Sequence, residues 1–348
     1  MKALVLRAPN QFDVEEVEEP TPGPFEVKCR VERVGICGTD VHMVQGHYDM
    51  WPAYYPFIPG HEWSGEIVEL GEGAEDFGWA VGDHVAGSSH AGCMYCETCI
   101  AGRYNLCLNY GNNKIHSHYG HTEQGAYADY VVHSIRSVFK LPEGMSFDLG
   151  AVTDPASIAL HCANRGGVAS GHTVAIIGAG PVGILAADAA RSLGASRIIV
   201  AARGARLGVV EEFGYEVFDT NDPAGVGRFL DMVPGGANVV LDAAGTPQTV
   251  PMALDMLARG GRCSTVGIPT DDVSMSLSSL VLDELELVGS RAVAGEMQAT
   301  LDLIQDDRIR AGKIITHRFP LEEFARALDV TDQRIDGAMK VVIDLSLT

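Results

Sequence analysis

Residues 173–194, TVAIIGAGPVGILAADAARSLG, run from an apolar strand through a tight glycine turn into an alanine-rich helix. Within them Gly178-Ala179-Gly180-Pro181-Val182-Gly183 is G-x-G-x-x-G. The pattern alone is weak, but a strand before it and a helix after it give it meaning. The first glycine allows the turn, the second lets the backbone approach a pyrophosphate, and the third lets helix and strand pack closely. The N–H groups at the helix start face the anion. A purely structural glycine turn is the competing reading. A strand of this kind is buried on both faces, so it calls for parallel neighbours and covering helices.

The neighbours follow in the sequence. RIIVAA from Arg197, a helix over 205–213, EVFD from Glu216, NVVLDAAG from Asn238, a helix over 248–258, RCSTVG from Arg262 and ELVGSR from Glu286 alternate regularly. This predicts a doubly wound parallel sheet of about six strands. The first ~150 residues read differently. KALVL, VKCRVERVGI, SGEIVEL, HVAG and AYADYVV are short apolar alternations separated by TPGP, PFIPGHE and LPEG. They predict a β-rich, barrel-like or sandwich-like domain. After Ser290 a helix over 297–306, HRFPLEEFARALDV and the strand KVVIDL remain. They add nothing to a completed six-stranded sheet and are expected to return to the first domain. A length of 348 residues suits two domains.

Four of the eight cysteines, Cys93, Cys96, Cys99 and Cys107, crowd into HAGCMYCETCIAGRYNLC. Adjacent disulfides within such a run would be strained, whereas four thiolates can converge on one tetrahedral zinc, a closed structural site. Unligated thiols and a redox pair are the alternatives. Cys37, in GICGTDVH, and His61-Glu62, after a Pro-Gly turn, offer a thiolate, an imidazole and a carboxylate. Three such ligands with an open fourth position make a catalytic zinc site, but spacing alone leaves open whether they meet. The formal charge of −21 opposes binding to nucleic acid. No apolar run approaches the ~20 residues of a membrane span, and MKALVLRAPN is too short in apolar character for a signal peptide. A cytoplasmic protein is expected.

The motifs CGTDVH, PGHEWSGEIVELGEG, VGDHV, the Cys93–Cys107 lobe, GAYADYVV, GAGPVG and VGSR, in this order along the whole chain, resemble the zinc-dependent medium-chain alcohol dehydrogenases. The likeness is to their sorbitol dehydrogenase-like polyol branch. The resemblance implies an α/β chain with a GroES-like β-barrel catalytic domain over 1–153, whose structural-zinc lobe is 93–107. A Rossmann doubly wound parallel-sheet domain would span 154–290, and 291–348 would return to the catalytic domain. The active site would lie in a cleft at the domain junction. Two zinc ions per chain are implied. Cys37, His61 and Glu62 match the catalytic zinc ligands. Asp154, in Asp-Pro-Ala-Ser, stands where the polyol branch often has Glu; one methylene shorter, it is expected to reach zinc or substrate through water. No third sulfur ligand is on offer, and Cys162 reads as helix core.

Thr39 and His42 match the positions that pass the hydroxyl proton to solvent; a surface imidazole is the competing reading of His42. Val266, Gly267, Ile268, Gly289, Ser290 and Arg291 fall at cofactor-binding positions, and Arg291 also where substrate hydroxyls are held. Met43 replaces a Tyr common in the polyol branch. His116, His118 and His121 belong to a variable loop bordering the cleft rather than to a third metal site, and could contact substrate. His47, Tyr48, Trp51 and Tyr55 are expected at the same mouth.

In NAD-specific domains an acid ends the second strand about 20 residues beyond the glycine turn and binds the ribose hydroxyls. Here that place holds Ala201 and Ala202, followed by Arg203 and, nearby, Arg206. The missing carboxylate removes repulsion of a 2′-phosphate, and the guanidinium groups can bind it. Solvated surface arginines are the competing reading. NADP is expected over NAD. The expected activity is interconversion of a secondary hydroxyl of a polyol, sugar or cyclitol with the ketone, by a homo-oligomer (dimer or tetramer). Simple secondary alcohols, or an amino alcohol such as threonine, are the alternative substrates. A non-catalytic nucleotide sensor is the alternative from another class.

Overall fold

The computed structural model describes residues 1–47, 52, 54–269 and 271–347; Tyr48 and Trp51, expected near the substrate, lie outside the described residues. The chain divides into two compact units. The first comprises Met1–Asp154, Val293–Gln305 and Ala311–Thr348, the second Pro155–Ala292 and Asp306–Arg310.

In the first unit a seven-stranded sheet runs Ile315–Phe319, Lys340–Asp344, Glu26–Gly35, Glu62–Leu70, His84–Gly87, Val138–Lys140, with Tyr130–Ser134 also paired to Glu26–Gly35. Only the first two strands pair in parallel. The ten-residue strand Glu26–Gly35 organises the rest. Along one edge it carries Glu62–Leu70. Its other edge is shared, residues 33–35 pairing with the C-terminal strand and 26–30 with Tyr130–Ser134. The C-terminal segment KVVID therefore closes the first unit, and all five of its residues are buried. Trp63, Tyr127, Phe57 and Phe324 are fully buried in the enclosed core. Burial of each such side chain contributes roughly 1.5–3 kcal/mol or more.

In the second unit six strands, all parallel, lie in the order Glu216–Asp219, Arg197–Ala202, Thr173–Ile177, Ala237–Asp242, Leu257–Thr265, Glu286–Gly289. Numbered along the chain this is 3-2-1-4-5-6, the dinucleotide-binding order, with its topological switch beside the first strand. The glycine turn leaves that strand and enters the helix Pro181–Ser192. Close packing there requires Gly183, where a Cβ would stand 1.8 Å from the Gly178 carbonyl oxygen. No helix among the described residues is long and apolar enough to cross a membrane.

The expected boundaries, 1–153, 154–290 and 291–348, differ in detail from this division. Asp154 groups with the first unit, and residues 306–310 interrupt the return by joining the second. The cause is Asp188, fully buried in the helix Pro181–Ser192. Its carboxylate accepts the Arg310 main-chain N–H at 2.8 Å and the Arg310 guanidinium at 2.6 and 3.2 Å. It also accepts the Tyr215 hydroxyl. Without the Arg310 guanidinium, Asp188 keeps the Tyr215 hydroxyl and Arg191 Nη2 at 3.3 Å but loses its shortest charged partner, and its buried charge is poorly compensated. Arg310→Met is thus expected to cost about 3 kcal/mol, read as a lower urea midpoint with an unchanged slope. A wild-type midpoint would show that Asp188 is satisfied without Arg310.

Candidate functional site

The four lobe cysteines do converge. Their sulfurs lie within 4.8 Å of one another, with Cys93–Cys99 and Cys96–Cys107 both at 3.9 Å. A tetrahedron with Zn–S bonds of about 2.3 Å has edges of roughly 3.8 Å, so the set fits zinc, and none is in a disulfide. Backbone N–H groups of Tyr95 and Cys96 point at Cys93 Sγ, each at 3.4 Å, and the Asn109 side chain donates to it at 3.2 Å. The Thr98 hydroxyl and the backbone N–H groups of Leu108 and Cys99 pull the Cys96 thiol down to about 5. Thiolate is thus favoured at Cys93 and Cys96, whereas burial pushes the Cys99 thiol up to about 12 and raises that of Cys107, so a bound cation is what would hold all four as thiolates.

The second set also converges: Cys37, His61 and Glu62 each offer one donor atom, all within 4.8 Å. Cys37 follows the long strand by two residues and caps the short helix Gly38–Val44, whereas His61 directly precedes, and Glu62 opens, the neighbouring strand. Strand pairing, with Gly35 opposite Glu62, closes the gap that spacing left open. Each ligand is held from behind. Asp40, fully buried, stands 3.4 Å from His61 Nδ1 through Oδ1. Burial disfavours a charged His61, yet Asp40 outweighs it and holds the imidazole well above its usual pKa. A ring tied at Nδ1 presents Nε2 to a metal and is a stronger donor. Glu62 is tied by Lys340, whose Nζ donates to Oε2 at 2.6 Å and to the Ile36 carbonyl at 3.0 Å. Burial works against the lysine's charge, but Glu62 and then Cys37 raise its pKa above the ordinary value.

Asp154, in the first turn of the helix Thr153–Arg165, stands outside this triad of close donors. It is buried, and neither carboxylate oxygen has a hydrogen-bond partner. Burial first raises its pKa to about 7, with Glu62 adding to the effect while His61 and Lys340 oppose it. An orphaned buried carboxylate is costly unless something completes it, and a cation reached through water would do so. Thr39 Oγ1 lies 3.6 Å from Cys37 Sγ. His42, three residues along the same helix, places Nδ1 3.3 Å from His47 Nδ1.

His121 packs on His61, with ring centroids 4.6 Å apart, and stacks on His118 at 3.8 Å. His90 continues the row at 4.0 Å from His118, and His116 lies 6.1 Å from His90. The four are buried, and the row meets the triad through His121. Met43 belongs to the barrel core, fully buried; it is not a pocket residue. His47 and Tyr55 are exposed, and Cys162 is buried in its helix.

In the second unit Gly178 adopts φ +98°, Gly180 caps the helix, and Pro181 and Val182 begin it. Asp242, at the end of the fourth strand, anchors the segment that follows it: Oδ1 accepts the Ala244 N–H at 3.1 Å, and Oδ2 the hydroxyls of Thr249 and Thr265 at 3.1 and 3.2 Å. Its main-chain oxygen accepts Val266 and Gly267 N–H groups, fixing the segment that continues to the exposed Ile268. Ala202 is the last residue of the second strand and is buried; Arg203 is exposed and Arg206 opens the next helix. Arg203 forms no ion pair among the described residues. Gly289 ends the sixth strand, Ser290 N–H bonds the Thr265 carbonyl at 2.9 Å, and Arg291 follows, exposed.

Asp40, Tyr127, Lys340 and Asp242 escaped the reading of the sequence. Asp40 and Asp242 had a signal, an acid beside a ligand cysteine and an acid ending an apolar strand. Tyr127 and Lys340 had none, because only the folded sheet brings them to the site.

Residues 23–143 match the family model for the alcohol dehydrogenase GroES-like domain, and 181–306 that for zinc-binding dehydrogenase. The chain belongs to the zinc-dependent medium-chain alcohol dehydrogenase family and is an oxidoreductase. Among its relatives, a sorbitol dehydrogenase of Halalkalibacterium halodurans is 32% identical over 94% of this chain and 95% of the relative. An L-threonine 3-dehydrogenase of Pseudoalteromonas atlantica is 31% identical over 99% and 100%. Two solved structures match at full length. A short chain alcohol dehydrogenase of E. coli CFT073 complexed with NADH has TM-score 0.91, 27% identity and 99% coverage of both chains. A protein of Sinorhizobium meliloti 1021, described as a zinc-binding dehydrogenase and bound to NADP, has TM-score 0.88, 29% identity and coverage of 99% and 98%.

Proposed function

We propose that this protein oxidises a secondary hydroxyl of a polyol, sugar or cyclitol to the ketone with NADP, and catalyses the reverse reduction. The observation that carries the reading is the convergence of Cys37, His61 and Glu62 beside an orphaned, buried Asp154. Zinc in that set supplies Lewis-acid polarisation, which lowers the pKa of a hydroxyl oxygen. The nicotinamide supplies the hydride acceptor. Thr39 passes the hydroxyl proton toward His42, whose imidazole can take it up before it reaches solvent. Glu62 would offer a metal the oxygen that Lys340 does not hold, and Asp154 would contact that metal or its substrate through water. The cysteine lobe holds a second, structural zinc.

Gly178, Gly180, Pro181, Val182 and Gly183 receive the pyrophosphate, Arg203 and Arg206 the 2′-phosphate beside Ala202. Val266, Gly267, Ile268, Gly289 and Ser290 complete the cofactor site. Relatives carry either cofactor, so the choice of NADP rests on these residues. Arg291 serves substrate hydroxyls, for which a guanidinium fork is suited. A homo-oligomer is supported by Leu277, Val281 and Leu282, which are 65–80% exposed on the helix preceding the edge strand Glu286–Gly289; the setting proposed is cytoplasmic.

The test is a panel of polyols, cyclitols, simple secondary alcohols and threonine, read as cofactor reduction at saturating nucleotide. The largest kcat/KM should fall on a polyol, sugar or cyclitol. Arg291→Ala should raise KM for that substrate about tenfold or more, the worth of one charge-assisted contact, and leave KM for a simple alcohol nearly unchanged. Equal losses on both would assign Arg291 to cofactor or fold, and a preference for threonine would replace the polyol reading.

A further inference from the structure

We propose that Tyr127 is a positioning residue of the Cys37–His61–Glu62 centre, acting on His61 through Asp40. The proposal rests on the reading that those three residues hold a metal. Tyr127 is fully buried, and its hydroxyl lies 2.9 Å from Asp40 Oδ2 and 3.2 Å from the Gly35 carbonyl. Asp40 Oδ2 also accepts the Cys37 N–H, at 2.9 Å. The second carboxylate oxygen, Oδ1, has no hydrogen-bond partner and faces His61 Nδ1 at 3.4 Å. The two oxygens are thus divided: Oδ2 is occupied by two donors, and Oδ1 is kept for the imidazole. A carboxylate pinned at one oxygen cannot rotate about its C–C bond without breaking two hydrogen bonds. That division fixes both the plane of the carboxylate and the tautomer of His61, with Nδ1 carrying the proton and Nε2 directed to the metal.

Tyr127 is built in rather than incidental. Its N–H bonds the Pro59 carbonyl at 3.1 Å, and the Ala126 N–H bonds that of Gly60 at 2.9 Å, so its backbone is fastened to the residues that precede His61. Gly60 has φ +100°, and a Cβ there would meet the Tyr127 ring and main-chain nitrogen at 2.9 Å. Only glycine lets the tyrosine pass so close to the ligand segment. On its other side the ring meets Phe324 edge-on, with centroids 4.8 Å apart. The hydroxyl therefore has one pose. A phenylalanine would keep the packing and remove only the donor.

The experiment is an equilibrium competition for zinc between the full chain and a chromophoric chelator, with cobalt substitution as a spectroscopic readout. Tyr127→Phe should weaken zinc at the triad about 10–100-fold while the cysteine lobe keeps its metal, and should shift the cobalt ligand-field bands. Asp40→Asn should weaken zinc at least as much. In the Asp40→Asn background Tyr127→Phe should have no further effect, because the path through Asp40 is already cut. Unchanged zinc affinity in Tyr127→Phe, or an undiminished loss in the Asp40→Asn background, overturns the proposal. A wild-type chain that binds zinc only at the cysteine lobe overturns it together with the reading beneath it. If Tyr127→Phe does not fold, global 3-fluorotyrosine replacement, which makes the phenol a stronger donor, gives a second route. It should shift the cobalt bands in the wild type and not in Asp40→Asn; equal shifts, or none, overturn the proposal.

Discussion

Cys37→Ala or His61→Ala is expected to lower kcat/KM by about a thousandfold or more and to remove one zinc, leaving the thermal midpoint within a few degrees. Lewis-acid polarisation is worth several kcal/mol of transition-state stabilisation, and each ~1.4 kcal/mol is tenfold in rate. The fold is spared because the triad sits on a sheet closed by other contacts. Glu26–Gly35 pairs with Glu62–Leu70 along its length, and all five residues of the C-terminal strand are buried. Cys96→Ala or Cys99→Ala should do the reverse. The lobe has little core of its own: its buried cluster is the cysteines themselves with Tyr104 packed against them. Structural zinc supplies folding energy directly, on the order of 10 kcal/mol in small domains, so loss of one ligand should cut soluble yield and thermal midpoint. Normal stability in Cys96→Ala, or full turnover in Cys37→Ala, would reverse the roles given to the two sets.

Cofactor choice carries the next largest effect. Wild type should favour NADP over NAD by about tenfold or more in kcat/KM, since a hydrogen bond between charged groups contributes roughly 1.5–3 kcal/mol. Arg203→Ala should lose about 10–100-fold with NADP on the same basis and little with NAD. Ala202→Asp should move the other way, because a carboxylate at the end of the second strand repels the 2′-phosphate and accepts ribose hydroxyls. A wild-type preference for NAD, or unchanged NADP kinetics in Arg203→Ala, would mean that these arginines are solvated surface residues.

The parts of the molecule that were legible in the sequence are those specified locally. The glycine turn, the alternation of strands and helices behind it and the cysteine run all lie within short windows, so residue spacing carries their geometry. That alternation implies about six parallel strands, whereas their order 3-2-1-4-5-6 is seen only in the fold. Contacts of long sequence separation were not legible. Cys37 and His61 meet only because their strands pair. Lys340 reaches Glu62 from 278 residues away. Tyr127 reaches Asp40 across 87. The histidine row was legible only as a loop bordering the cleft; that His121 packs on His61 and His118 stacks on His121 is likewise set by the fold. Residues 306–310 group with the second unit, and nothing local in DDRIR announces that a buried Asp188 takes Arg310 as a partner.

The most direct test of the central claim follows zinc content and turnover together. The wild-type chain is treated with a chelator in stages, and zinc per chain is counted against kcat on the best substrate with NADP. The expected result is two zincs per chain, with activity falling in proportion to the loss of the first, while the fold holds, and returning when zinc is restored. Full turnover after the first zinc has gone, or an active chain that never held more than the cysteine-bound metal, would contradict it.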